Sequence, residues 1–236
     1  MVSKNIFSAI ENKEAAEAIK LLCDQYPGKV VFTTSLGQED QVITDIIFRN
    51  ALPVRVITLD TGRLFNQTYD LIERTAARYN QNIEIYFPET KDVEQFVAQK
   101  GINSFYESVE NRKECCYIRK VKPLNRALEG AKVWITGLRA GQSAGRENMP
   151  IIEWMDDREL YKYNPLINWS LNNVLDHIEQ YNVPYNLLHN EGFISIGCAP
   201  CTRAIQPGEQ ARDGRWWWET SHKECGLHHI KGGKAV

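Results

Sequence analysis

The chain has 236 residues, enough to bury a substantial core in one large domain or one and a half small ones. With 43% apolar and 25% charged residues it reads as a folded globular chain, and 28 basic against 30 acidic side chains argue against a general nucleic-acid coat. No apolar run reaches the roughly 18 residues of a membrane helix, and residues 1–15 lack the apolar core of a secretion signal, so a cytoplasmic protein with no membrane or nucleic-acid partner is expected.

Ala15, Ala18, Ile19 and Leu22 recur at helical spacing, which predicts an amphipathic helix to about Gln25, ended by Pro27-Gly28. Residues 29–34 are a short β-branched run and predict a strand. The turn Ser35-Leu36-Gly37-Gln38-Glu39-Asp40 follows, then an apolar helix to Phe48. A second strand over 53–59 ends at Asp60-Thr61-Gly62, ahead of a helix over 66–79. Further strands are expected over 83–87 and 132–136, with helices over 91–99 and 120–128 between them. This alternation predicts an α/β fold: a mostly parallel sheet with helices on both faces. Ligands of such sheets sit beyond the carboxyl ends of the strands, so the loops 34–40, 59–63 and 136–146 should converge on one cleft. After Pro150 the rhythm changes to short strands over 151–154 and 159–163, a helix capped by Ser170, and a glycine-rich tail whose last twenty residues are expected to be weakly ordered.

Two of these loops suit an anion. Ser35–Asp40 joins a strand to a helix start, where backbone N–H groups and the helix dipole favour phosphate or sulfate. It is neither a Walker A loop nor a dinucleotide fingerprint, and an ordinary βα turn using Gly37 for clearance fits the same residues. The loop from Thr136 to Arg146 sets Arg139 and Arg146 among glycines; forked guanidinium donors match a tetrahedral anion, with a solvated surface loop as the alternative. Asp60 suits either a ribose hydroxyl or the cap of the next helix.

The six cysteines are Cys23, Cys115, Cys116, Cys198, Cys201 and Cys225. Disulfides are a poor default in an unsecreted chain. The adjacent Cys115 and Cys116 have Cα atoms about 3.8 Å apart, below the usual disulfide range of about 4.4–6.8 Å. Cys23 sits in an apolar helical stretch and reads as a small buried hydrophobe. Cys115-Cys116 and Cys198-Ala199-Pro200-Cys201 supply four thiols in two pairs. Two neighbouring side chains fit awkwardly on one tetrahedral zinc, whereas a four-iron cube offers each its own iron, which favours a 4Fe–4S cluster.

With these residues in view the chain resembles the assimilatory adenylylsulfate (APS) reductases, the iron–sulfur branch of the APS/PAPS reductase family. The resemblance rests on Thr34-Ser35-Leu36-Gly37-Gln38-Glu39-Asp40, Leu59-Asp60-Thr61-Gly62, Arg112-Lys113-Glu114-Cys115-Cys116 with Arg119-Lys120, and the Arg139–Arg146 loop. It continues through Gly197-Cys198-Ala199-Pro200-Cys201-Thr202-Arg203, Gly214-Arg215-Trp216-Trp217-Trp218-Glu219 and Lys223-Glu224-Cys225-Gly226-Leu227-His228, in order from residue 29 onward. Thr34 stands where the family usually has serine, and Tyr117 where a small residue is common.

The resemblance implies an adenine-nucleotide α-hydrolase-like fold, with residues 1–205 as the nucleotide-binding domain that includes the cluster segments. Residues 206–236 would form a mobile segment carrying the catalytic cysteine. It implies reduction of APS to sulfite and AMP, with Cys225 as the nucleophile that takes up an S-sulfonate and thioredoxin, or a glutaredoxin-like reductant, as the partner that releases it. Cationic neighbours such as Lys223 and His228 would raise the thiolate fraction of Cys225. Lys120, Arg139, Arg146, Arg212 and Arg215 would offset the repulsion between thiolate and sulfate, and His228 would bind the sulfate. Thr34, Ser35, Gly37, Glu39, Asp40, Leu59, Asp60, Thr61 and Gly62 complete the expected substrate site, and Cys115, Cys116, Cys198 and Cys201 the cluster site. A homo-oligomer is expected, and the Trp216–Trp218 run is expected to pack the tail on the body. A reductase using PAPS, or both donors, is the alternative within the family; a cluster-bearing redox sensor without turnover is the alternative outside it.

Overall fold

The computed structural model of the chain describes residues 8–219. Its first long helix, α1 (Ala15–Gln25), buries Ala15, Ala18, Ile19, Leu22 and Cys23 on one face, the stripe that their spacing requires. β1 (Val30–Thr34) leads into α2 (Gln38–Arg49), β2 (Arg55–Leu59) into α3 (Asn66–Tyr79), and β3 (Glu84–Tyr86) into α4 (Thr90–Lys100). β4 (Val133–Ile135) then returns to the other side of β1. β5 (Ile152–Met155) and β6 (Leu160–Tyr163) form a hairpin that adds to β4, and α7 (Leu171–Tyr181) closes the fold.

The six strands lie in the order β3-β2-β1-β4-β6-β5, all neighbours parallel except the β5–β6 pair at the edge. Alternation along β1 sends Val30 and Phe32 into one core with α1, α2 and α7, and Val31 into a second core with Ile57, Trp134, Leu124 and Leu128. Both faces are therefore covered, as a parallel sheet requires. The chain leaves β1 toward β2 on one side and comes back to β4 on the other. The carboxyl ends of β1 and β4 thus open a crevice where strand order reverses.

The region around the cysteine pair differs from the expected helix over 120–128. α5 (Val109–Cys116) runs through a wider π turn (Tyr117–Val121) into α6 (Lys122–Ala127). Glu110 to Cys116 offers no apolar stripe, so periodicity passes over it. The Ser108 hydroxyl starts this helix by accepting from the Asn111 N–H at 3.1 Å, and what it buries is the guanidinium of Arg112. No helix among the described residues is long and apolar enough to cross a membrane.

Candidate active site

The loop after β1 is braced from within. Asp40, in the first turn of α2, accepts from the backbone N–H and the hydroxyl of Ser35, both at 2.6 Å, while the Leu36 N–H donates to Thr34 Oγ1 at 2.9 Å. This tight wrap puts Leu36 in the left-handed region at φ 62°, a conformation costly for a side chain with a Cβ. Burial pushes the Asp40 carboxyl up to about 6, against the stabilising bonds from Ser35. A Cβ on Gly137, in the loop after β4, would collide with Asp40 Oδ1, so glycine there lets the two strand-end loops close on each other.

The arginine loop is equally fixed. Arg139 Nε meets Glu39 Oε1 at 2.8 Å, its backbone N–H donates to Gln142 Oε1 at 3.1 Å, and the Ala140 N–H donates to the Ile167 carbonyl at 2.9 Å. Arg139 and Arg146 are both buried despite their charge. Together the two loops border a cavity of about 610 Å³, a size that suits a nucleotide. Thr34, Ser35, Gly37, Glu39, Asp40, Leu59, Lys120, Arg139, Arg146, Arg212 and Arg215 all line it. Five cations face two carboxylates there among the described residues, so the cavity favours an anion.

Asp60, Thr61 and Gly62 turn away from this cavity. Asp60 Oδ1 accepts from the Gly62 N–H at 2.7 Å and from the Tyr69 hydroxyl at 2.9 Å, which ties the turn to α3. Gly62, at φ 70°, reverses the chain so that Thr61 faces the cysteines: its Oγ1 lies 3.2 Å from Cys198 Sγ, and its carbonyl accepts from Arg119 Nη1 at 2.7 Å. Of the 59–63 loop, only Leu59 reaches the cleft.

The four clustered cysteines come from two segments. Cys115 and Cys116 end α5, and Cys198 and Cys201 flank a 3₁₀ turn (Ala199–Cys201) held by the Ala199 N–H on the Arg63 carbonyl at 2.8 Å. All four line one small pocket together with Arg63, Arg112, Arg119 and Lys120. Burial pushes the Cys201 thiol up to about 12 and raises Cys115 as well. Among the described residues no group of three or more His, Cys, Asp or Glu side chains is arranged to hold a metal ion. The donor set itself is four thiols ringed by cations with no carboxylate in the lining, which fits an anionic tetrathiolate group. Lys120, placed by the π turn, lines both this pocket and the large cavity. Cys225 and His228 lie outside the described residues. The Trp216 ring is buried against Arg112 and Arg215, with the guanidinium carbons 4.6 and 4.7 Å from it, so this part of the tail packs on the body.

Several lining residues escape a reading of the sequence. Leu64, Thr68, Trp169, His189 and residues 194–196 all border the cavity. Only the alternation Ile194-Ser195-Ile196 just before Gly197-Cys198 carries a local hint; His189 is a lone histidine with no motif around it.

Sheet order, switch-point cavity and braced loops define the adenine-nucleotide α-hydrolase-like class. The FMN adenylyltransferase of Candida glabrata, solved with FAD and inorganic pyrophosphate, shares this fold with a TM-score of 0.53 at 17% identity, over 95% of this chain and 84% of that one. Within the class the assignment is narrower. Residues 29–204 match the phosphoadenosine phosphosulfate reductase domain, and the chain belongs to the APS/PAPS reductase family of oxidoreductases. It is 54% identical over 210 residues to the adenosine 5′-phosphosulfate reductase of Sinorhizobium fredii, covering 89% of this chain and 84% of the relative. The phosphoadenylyl-sulfate (PAPS) reductase of Candida auris, solved as a phosphate complex, superposes with a TM-score of 0.71 at 30% identity, over 86% of this chain and 95% of that one.

Proposed function

We propose that this protein reduces adenosine 5′-phosphosulfate to sulfite and AMP in cytoplasmic sulfate assimilation, and that it acts as a homo-oligomer. The observation that carries this reading is Lys120, which borders both the electropositive cavity and the four-cysteine pocket. The 54% identical relative is named for APS, whereas the relative named for PAPS is 30% identical, which favours the donor without a 3′-phosphate.

The nucleotide's phosphosulfate would lie among Lys120, Arg139, Arg146, Arg212 and Arg215, with Thr34, Ser35 and Gly37 beside it. The Cys225 thiolate attacks the sulfate sulfur. An S–S bond forms, the bond from sulfur to the bridging oxygen breaks, and AMP leaves with that electron pair. The cations offset charge as two anions approach, and His228 adds a donor to the sulfonate oxygens. A thioredoxin-type thiolate then attacks Cys225 Sγ and releases sulfite. Its second thiol resolves the mixed disulfide, so the external dithiol supplies both electrons.

Cys115, Cys116, Cys198 and Cys201 would hold a 4Fe–4S cluster; when bound it supplies fixed charge beside Lys120 and a link between two distant segments, with no change of oxidation state. Arg119 and Thr61 keep this rim in place through the 2.7 Å bond between them. The segment 206–236 would carry Cys225, six residues beyond Glu219, a span of at most about 22 Å.

The test is intact-mass measurement of anaerobically purified protein incubated with APS. An SO₃ adduct on Cys225 is expected, lost in Cys225→Ser, while that variant keeps its iron and acid-labile sulfide. Absence of the adduct in the wild-type chain overturns the proposal.

A further inference from the structure

The backbone that carries Cys115 and Cys116 stays helical all the way into α6. Cys116, Tyr117, Val121 and Lys122 have φ between −58° and −68° and ψ between −38° and −51°. Only the hydrogen bonding changes. The Tyr117 N–H bonds the carbonyls of Glu114 and Lys113, three and four residues back, whereas the Lys122 N–H bonds the Tyr117 carbonyl, five residues back. Beyond the turn the four-residue spacing returns, with the Leu128 N–H on the Leu124 carbonyl at 3.0 Å. Such a turn takes up one residue more than an α turn, so it rotates everything beyond it by about 100° relative to a straight helix.

The two flanks are fixed independently. α5 is tied by the Arg112–Glu219 ion pair and by its two cysteines in their pocket. α6 buries Leu124 and Ala127 against Val31, Ile57 and Trp134 of the sheet. Between these anchors the extra residue has to be taken up in one turn, and Pro123 decides which. Proline has no N–H, and in a straight helix its ring would collide with the Arg119 carbonyl four residues back. A wide turn just before it moves that carbonyl aside. The outer side of the turn does not fix its place: Tyr117 is half exposed, and Lys122 meets Asp92 of α4 at 2.8 Å on the surface, where an ion pair contributes little.

Lys120 lies inside this turn and lines both the cavity and the cysteine pocket. We propose that Pro123 is a positioning residue that acts through Lys120: it pins the wide turn at 117–121 and so holds the Lys120 side chain on the wall that the two pockets share. Without the proline the extra residue shifts along the helix, and Lys120 is spread over orientations about 100° apart. The inference rests on the nucleotide reading above and adds to it a residue that itself lines neither the cavity nor the cysteine pocket.

The test is calorimetry with APS on the full chain carrying Cys225→Ser, which leaves the nucleotide intact. Lys120→Ala in that chain should weaken APS by about tenfold or more, and Pro123→Ala, which restores the N–H and removes the ring, by about tenfold. Added to Lys120→Ala, Pro123→Ala should change the affinity by less than about twofold, because the side chain it positions is gone. Pro123→Val restores the N–H while refilling the space of the ring. It should match Pro123→Ala, and it carries the same cycle should the alanine chain fail to fold. Equal losses with and without Lys120 would mean that the proline shapes the cavity as a whole, and they overturn the proposal. Undiminished affinity in Pro123→Ala, in Pro123→Val or in Lys120→Ala overturns it too. A parent chain that binds neither APS nor AMP would instead remove the nucleotide reading, and this inference with it.

Discussion

Arg112 and Glu219 form a two-pronged ion pair inside the protein, with Nε to Oε1 at 2.7 Å and Nη2 to Oε2 at 2.9 Å across 107 residues of chain. Their side chains are 2% and 4% exposed. The pair joins the helix that ends in Cys115-Cys116 to the foot of the segment that continues to Cys225. It therefore fixes where that segment begins relative to the cysteine pocket.

Removing Glu219 takes from the buried Arg112 guanidinium its two-pronged carboxylate partner. Glu219→Ala should cost about 3–5 kcal/mol of unfolding free energy in urea titrations, whereas the joint replacement Arg112→Met with Glu219→Leu should cost less than either single change. A joint change that costs as much as the sum of the two would show that the charges do not act as a pair.

Asp40 makes the fold sensitive to pH in a definite direction. Its carboxyl titrates near 6 when folded and near 3.8 when unfolded, so between these values the folded chain holds more protons. The stability it contributes is complete below pH 3.8 and is lost as pH rises through 6, by about 3 kcal/mol. The facing groups are Ser35 and Arg146, which favour the carboxylate, and Glu39, which opposes it. Asp40→Asn should flatten that part of the stability-against-pH curve relative to wild type. Parallel curves for the two proteins would contradict the assignment.

Arg139 and Glu39 should be coupled in catalysis. Arg139→Ala removes a cation from the anion cavity and leaves the Glu39 carboxylate unopposed, so kcat/KM for APS should fall about 10²-fold. Adding Glu39→Gln should return part of that loss, giving a non-additive double-mutant cycle. Strict additivity would mean that the 2.8 Å contact has no consequence for substrate.

Gly197 tests the placement of Arg215. A Cβ there would come within 2.7 Å of Arg215 Nη1, the end of a long side chain that can shift while the backbone stays. Gly197→Ala should therefore change stability by no more than about 1 kcal/mol yet lower kcat/KM for APS at least tenfold, close to the effect of Arg215→Ala. A large loss of stability with unchanged kinetics would reverse the interpretation.

The strands, their order of appearance and the helices with apolar stripes were legible in the sequence, because burial on a sheet or a helix face imposes periods that local residues must obey. β1 through β4, and the Ser170-capped helix α7, follow those periods within a residue or two. The helix carrying Cys115 and Cys116 was not legible, since it is held by a cap and a buried guanidinium and not by an apolar stripe. Anion chemistry in the Ser35–Asp40 and Arg139–Arg146 loops could be read from composition, but which side of its turn each residue faces could not. Asp40 looks inward to Ser35, and Thr61 looks toward Cys198, because a single left-handed glycine or a single carboxylate reverses a turn.

By itself, then, the sequence determined the sheet, the pairing of cysteines into two motifs and the electropositive loops, all of which are local patterns of residue type. Only the tertiary structure decided that Lys120 stands between cavity and cysteine pocket, that Arg112 and Glu219 meet, and that His189 borders the cavity. Each of these joins segments far apart in the chain. Their proximity is set by how the two cores pack around the sheet, which no local pattern of side chains encodes.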